Sequence, residues 1–251
     1  MDLNIVKTNW EAIQPLRALF LQENNFQVRY DSCHWRGWAD EYMITDGDLQ
    51  IGYGSVKGQD DLKDRNAIFE FYVVPTIRNH TATVFAELIK VSGVVYLECQ
   101  SNDLLLSGMM FEFAKNISSD VVLFKAGRET QLAPEGIVFR KKRDSDLLFD
   151  HHSEPEGDYV LEKNGEIIAS GGFLLHYNKP FADLYMEVQP DHRKKGYGSF
   201  LIQEIKKACY LAGRVSAARC GITNPASKAT LLRAGMEIAG YMLAGEIMTT
   251  A

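Results

Sequence analysis

Residues Val188–Ser199 read V-Q-P-D-H-R-K-K-G-Y-G-S. An apolar strand ends at Val188, and Pro190 stops it because proline has no N–H for a strand ladder. Three cations follow, Arg193, Lys194 and Lys195, and then Gly196 and Gly198. Helical spacing begins at once, with Leu201, Ile205, Ala208 and Ala212 on one face. Glycines at a helix start let backbone N–H groups approach an anion closely, and the helix N-terminus adds partial positive charge. The stretch reads as a strand, an anion cradle and a helix.

The elements around it fall in a regular order. Tyr159–Glu162 and Glu166–Leu175 read as strands about a turn at Asn164-Gly165, and Ala182–Val188 as the strand before the cradle. Gly196–Ala212 is a helix, Val215–Cys220 a strand, and Asn224–Ala234 a helix with Asn224 as N-cap and Pro225 at its first position. Met236–Met248 is a last strand. The first half shows the same order. A helix over Trp10–Glu23 and an aperiodic, aromatic loop over Asp31–Asp40 come first. Strands at Glu41–Thr45, Leu49–Val56 and Ala67–Val74 follow, then a helix at Thr81–Val91, a strand at Val94–Cys99, a helix at Asn102–Phe113 and a strand at Val121–Lys125. Pro75, Arg78 and Phe85 precede Pro190, Arg193 and Phe200 at one constant spacing, as an internal duplication requires. Ala133-Pro134-Glu135-Gly136 reads as the connector, which divides the chain into 1–132 and 133–251. The copies differ at the cradle. Asn79-His80-Thr81-Ala82-Thr83 stands opposite Lys194–Gly198 and has neither glycine, so only the second copy is expected to hold a phosphate group.

Composition narrows the function classes. The 251 residues carry 46% apolar and 24% charged residues, ordinary for a globular protein, with net charge −6. An acidic chain argues against a broad nucleic-acid surface, while a local basic loop can still hold a small anion. No apolar run approaches the roughly 20 residues a membrane helix needs. The beginning MDLNIVKTNW lacks the basic and apolar regions of a secretion signal, so a cytoplasmic protein is expected. Cys33, Cys99, Cys209 and Cys220 show no paired spacing and read as reduced thiols; no metal site is expected. Gly52-Tyr53-Gly54 follows no cations and opens no helix, and reads as strand glycine. A dinucleotide fingerprint would need glycine where Leu201 stands.

Arg193-x-x-Gly196-x-Gly198, with its strand before, helix after and Asn224-x-x-Ser227 opening the next helix, resembles the core signature of the GCN5-related N-acetyltransferase (GNAT) superfamily. The match is good over Tyr159–Ile247 and only in layout over the first half, so the chain resembles a tandem GNAT protein with a degenerate N-terminal copy. The resemblance implies an α/β fold of two three-layer α/β/α units with mixed, mostly antiparallel central sheets. It implies acetyl-coenzyme A as cosubstrate and a primary amine of a small molecule, amino acid or peptide as acceptor. The strand at Met186–Val188 should splay from Val215–Cys220, freeing the backbone of Met186 and Val188 for the pantetheine arm, with the Val188 N–H polarising the thioester carbonyl. Backbone N–H groups over Lys194, Lys195, Gly196, Tyr197, Gly198 and Ser199, with the Arg193 and Lys195 side chains, should take the pyrophosphate. Asn224, Ser227 and Lys228 fall in the second cofactor-contact region.

Amine attack on a thioester needs a base and then an acid. Glu187 is the expected base, with Asp183 on the same strand as the alternative. Leu231 stands where many members carry the tyrosine acid, so Tyr241, Tyr210 or water would replace it, or the thiolate leaves unprotonated. Cys220 reads as a buried strand cysteine, and His192, His151 and His152 as solvated loop residues. Trp35 and Trp38 are either acceptor-pocket walls or structural indoles. Two rivals keep the cradle: a non-catalytic acyl-coenzyme A sensor, and an acyltransferase using a longer chain. A monomer or homodimer without nucleic-acid or membrane partners is expected.

Overall fold

The computed structural model describes residues 1–24, 31–61, 63–152 and 154–248. In chain order the elements are β1 (Leu3–Thr8), α1 (Trp10–Glu23), α2 (Asp31–Trp35), β2 (Ala39–Asp46), β3 (Leu49–Lys57), β4 (Ala67–Val73), α3 (Thr81–Ser92), β5 (Tyr96–Gln100), α4 (Leu104–Phe113), β6 (Ala114–Ala126), β7 (Ile137–Lys141), β8 (Tyr159–Lys163), β9 (Glu166–Leu174), β10 (Phe181–Val188), α5 (Tyr197–Leu211), β11 (Val215–Gly221), α6 (Pro225–Arg233) and β12 (Met236–Ile247). Short polar caps start several helices. Asn9 accepts from the Ala12 N–H, Asp103 from Leu106 and Asn224 from Ser227.

The chain forms two compact units. The first holds the described residues up to Asp120 together with Gly240 onwards, and the second holds Val121–Ala239. The expected cut at 132/133 falls inside the second unit. In the first unit β1, β2, β3 and β4 pair antiparallel in that order, β4 pairs parallel with β5, and β5 pairs antiparallel with Met242–Glu246 of β12. In the second unit β7, β8, β9 and β10 pair antiparallel, β10 pairs parallel with β11, and β11 pairs antiparallel with Val121–Lys125 of β6. The two sheets have one topology, as a duplicated ancestor requires. Each is completed by the strand that ends the other copy, which is why no single cut separates the contacts.

Both units are mixed α/β. In the first, Phe71 and Val73 on one face of β4 pack with Val84, Phe85 and Leu88 of α3 and with Leu106, Met109 and Met110 of α4. The opposite face meets α1, through Ile13, Leu16 and Phe20 against Tyr53 and Tyr72. Arg17 is buried there. Its Nε and Nη2 each donate to Glu70 at 2.8 Å, and its Nη1 donates to Asp31 at 2.6 Å. Burial opposes the Glu70 charge, but Arg17 and His34 outweigh it and hold the carboxyl well below its usual range. In the second unit α5 packs on β9 and β10, and between β7 and β8 the described residues form no counterpart of α1 and α2.

The expected elements recur with small shifts of their ends, except that β6 begins at Ala114, well before the expected Val121. Within Asp31–Asp40, read as a loop, the structure has the short helix α2, which buries Ser32, Cys33 and His34, and the start of β2. Five residues are too few to display a helical period. β1 and β7 were not anticipated; only Ile5 of β1 is buried, so the strand lacks the alternation that marks one.

Removing residues 240–251 should strip β5 of its antiparallel partner. At about 1 kcal/mol net for each of the few hydrogen bonds lost, the expected cost is about 2–5 kcal/mol. Thermal unfolding should then shift down by roughly 5–15 °C. An unchanged melting curve would show that β12 does not support the first sheet.

Candidate active site

The site grows from the end of β10. The Gln189 N–H donates to the Ile168 carbonyl at 2.9 Å, in register with Val188 opposite Ala169. Antiparallel strands alternate the side to which backbone groups point. Tyr185 and Glu187 therefore direct theirs to β9, while Leu184, Met186 and Val188 direct theirs to the side of β11. There the parallel pairing covers only Phe181–Asp183 against Val215–Ala217. Beyond Asp183 the strands part, and the N–H groups of Met186 and Val188 face the opening without a strand partner. The expected splay is present.

Beyond Pro190–His192, a single 3-10 turn, the chain takes two left-handed steps, at Lys194 (φ 62°) and Gly196 (φ 83°). A lysine in that region costs about 1–2 kcal/mol and persists only where the surroundings enforce it. Gly196 is the N-cap of α5 and supplies no side-chain hydrogen bond, so the first N–H groups of this 15-residue helix stay open to an anion. Gly198 lies where a Cβ would come within 3.1 Å of Met186 Cε, so the first turn of α5 sits directly on the splayed strand.

The cations are arranged differently from expectation. Arg193 turns back from the cradle. Its Nε donates to the Val188 carbonyl at 2.9 Å, and Nη2 lies 3.4 Å from Glu187 Oε1. Lys195 Nζ donates to the Asp191 carbonyl at 2.8 Å, and Lys194 is exposed. A cation the sequence reading missed completes the set. The Arg233 guanidinium, at the end of α6, lies 3.3–3.4 Å from where a Cβ on Gly196 would stand. The signal was the polar stripe Ser227, Thr230 and Arg233, spaced by three on one helix. Asn224 spends its side-chain oxygen on the Ser227 N–H at 3.0 Å, and Ser227 and Lys228 are half-buried. Tyr197 is buried, its hydroxyl accepting from Lys163 Nζ at 3.1 Å, and Ser199 is buried beside it.

The other face of β10 carries Asp183 and Glu187. The Glu187 carboxylate is buried and accepts from the backbone N–H groups of His152 and Glu154. Asp183 Oδ2 lies 3.3 Å from His176 Nε2 and 3.8 Å from Arg219 Nε. His151 is not solvated as expected. Its Nδ1 bonds the Phe149 carbonyl at 2.9 Å, its Nε2 meets Ser170 Oγ at 2.6 Å, and its ring stacks on Phe149. His192 is half-buried, 3.7 Å from Glu166. Leu231 is buried, and Tyr210 is 79% exposed at the end of α5 opposite the cradle. Burial pushes the Cys220 thiol up, as suits a strand cysteine rather than a nucleophile. Trp38 lines a cavity of the first unit with Gly37, Asp60, Asp61, Lys63 and Arg65, and Arg36 lies between the Trp35 and Trp38 rings. Among the described residues no group of His, Cys, Asp and Glu is arranged to hold a metal, and no helix is long and apolar enough to cross a membrane.

Known proteins share this fold. Residues 126–236 match the profile described as Acetyltransferase (GNAT) family, and residues 9–127 match that described as Acetyltransferase (GNAT) domain. The fold is similar to an acetyltransferase from the GNAT family from Colwellia psychrerythraea, with TM-score 0.75 and 15% identity over 98% of this chain and 100% of the other. It is also similar to a tandem GNAT protein from the clavulanic acid biosynthesis pathway, with TM-score 0.63 and 11% identity over 99% and 100%. A GCN5-related N-acetyltransferase from Sphaerobacter thermophilus gives TM-score 0.62 and 14% identity over 100% and 97%. No curated protein matches the sequence.

Gly196→Ala places a side chain in a left-handed conformation and against Arg233. Urea unfolding should show a loss of about 1–2 kcal/mol. Unchanged stability would mean that the loop can relax and that its geometry is not enforced.

Proposed function

For a chain that belongs to the GNAT acetyltransferase family and carries two of its domains in tandem, we propose an N-acetyltransferase with one cosubstrate site, in the second unit. The observation that carries this reading is the Val188 N–H, left without a strand partner beside an uncapped, cation-rich helix start. Acetyl-coenzyme A is the donor. Its pyrophosphate lies on the N–H groups of Lys194–Ser199, with Lys194, Lys195 and Arg233 around it, and its pantetheine arm pairs with Met186 and Val188. The Val188 N–H meets the thioester oxygen, where charge develops during attack. Arg193 anchors the Val188 carbonyl, which braces the strand end that carries that N–H, and faces Glu187. Asn224, Ser227 and Lys228 border the arm from α6.

The acceptor is a primary amine of a small molecule, amino acid or peptide. It approaches from the face of β10 that carries Asp183 and Glu187, where carboxylates attract an ammonium group. The four cysteines are buried and none forms a disulfide, in keeping with the cytoplasm.

The first unit supports the one-site reading. Its β4 and β5 also part, after Ala67–Ile68 against Tyr96–Leu97, but α4 packs on both strands and buries Leu106, Met109 and Met110. In the second unit α6 buries only Leu231. Thiol release from acetyl-coenzyme A against an amine panel tests the activity. Gly198→Asp, which puts a carboxylate where phosphate would sit, should abolish cosubstrate binding, while Thr83→Asp leaves it unchanged. Equal losses would remove the one-site reading, and tight binding without turnover on any amine would favour a sensor.

A further inference from the structure

On the β10 face opposite α5, donors engage two of three carboxylates. Glu187 accepts from the backbone N–H groups of His152 and Glu154, at 3.2–3.3 Å, and faces Arg193 at 3.4 Å. Asp183 faces His176 and Arg219. The third, Glu154, is exposed, and among the described residues its carboxylate has no hydrogen-bond or ion-pair partner. Its own backbone N–H, 3.3 Å from Glu187 Oε2, ties the residue to β10. Glu187, to which it is tied, directly precedes Val188, whose N–H faces the opening, and the charge of Glu154 interacts with those of Asp183, Glu187 and Arg219.

We propose that Glu154 is the general base that takes the proton from the acceptor ammonium. The proposal rests on the amine acetylation proposed above. The other two carboxylates are already engaged, Glu187 by backbone N–H groups and Arg193 and Asp183 by His176 and Arg219, so their oxygens are less open to an incoming ammonium. Glu154 has the reverse surroundings. Partial loss of hydration against the sheet, followed by the like charges of Asp183 and Glu187, raises its carboxyl, and Arg219 opposes them, while the residue keeps access to solvent. Solvent access lets the proton leave.

The step balances without a further reactant. The ammonium R–NH3+ gives one proton to a Glu154 oxygen. The freed nitrogen pair forms the C–N bond to the thioester carbonyl, the C–S bond breaks, and its electron pair leaves on sulfur. The remaining excess proton on nitrogen passes to the thiolate, giving the amide and coenzyme A, and Glu154 releases its proton to water. No tyrosine acid is required, which accommodates Leu231.

The sequence reading missed Glu154 because the segment around it, D-H-H-S-E-P-E-G-D, has no period from which to tell one acid from another.

The test compares wild type, Glu154→Gln and Glu154→Asp with acetyl-coenzyme A and an amine that the wild type accepts. For Glu154→Gln, kcat should fall by about 100-fold or more. Coenzyme A affinity by calorimetry, acceptor KM and the circular dichroism spectrum should not change. Wild-type kcat/KM should fall as pH drops through the raised carboxyl pKa. In Glu154→Gln that limb should give way to a steady rise with pH, as the free amine in solution increases. Glu154→Asp should retain part of the rate and the acidic limb. A Gln variant with wild-type kcat and pH profile would overturn the proposal while leaving the acetyltransferase reading intact. So would a rise in acceptor KM alone, which would make Glu154 an ammonium-binding group. A wild type that binds acetyl-coenzyme A and acetylates no amine would overturn both.

Discussion

The parting of β10 from β11 after Asp183 is the constraint on which the rest of the second unit depends. A parallel strand that kept its neighbour would spend the N–H groups of Met186 and Val188 on the ladder. By parting, it leaves them directed into an opening that α5 approaches closely at Gly198. Buried donors without partners are costly, at about 1–3 kcal/mol each. The arrangement is therefore sustained by what braces it: Arg193 on the Val188 carbonyl, β9 along the other edge, and α5 beneath.

The first unit shows the same topology put to a different use. Its strands also part, but apolar residues of α4 cover the parting, and Met110 Sδ lies 3.9 Å from Cys99 Sγ. On the face corresponding to that of Glu187, the buried Arg17–Glu70 pair stands with His34, Tyr53 and Glu41. A buried charge pair bound on several sides is tolerable as structure, and full burial keeps Glu70 away from a substrate. Duplication thus supplied two copies, and burial closed one. The strand exchange, in which β12 completes the first sheet and β6 the second, makes each sheet depend on both copies of the sequence.

Much of this was legible in the residues. Punctuation by Pro75, Pro190, Gly196 and Asn224 placed the strand ends, the cradle and the α6 cap, because these residues act through local backbone geometry. The splay followed from the resemblance that the cradle supports. What escaped was long-range. Nothing in the spacing of β6 or β12 says that each pairs with the other copy's sheet, since both read simply as strands following a helix. Arg193 carried the right charge in the right turn, yet the Val188 carbonyl and Glu187 draw it back to β10. Arg233 reaches the cradle only because α6 ends beside it. Glu187 has its place on the strand, and a strand position does not reveal that backbone N–H groups nearly 35 residues earlier donate to its carboxylate. The sequence between β7 and β8, where the first unit has helices, has no period at all, so the contacts of its described residues depend on the sheet.

The central claim is that one opening, in the second unit, receives the cosubstrate. Amide hydrogen exchange with and without coenzyme A addresses it most directly. The account predicts slowed exchange at Met186, Val188 and Lys194–Ser199, and none at Val73 or over Asn79–Thr83. Protection in the first unit, or no protection at Val188, would contradict it.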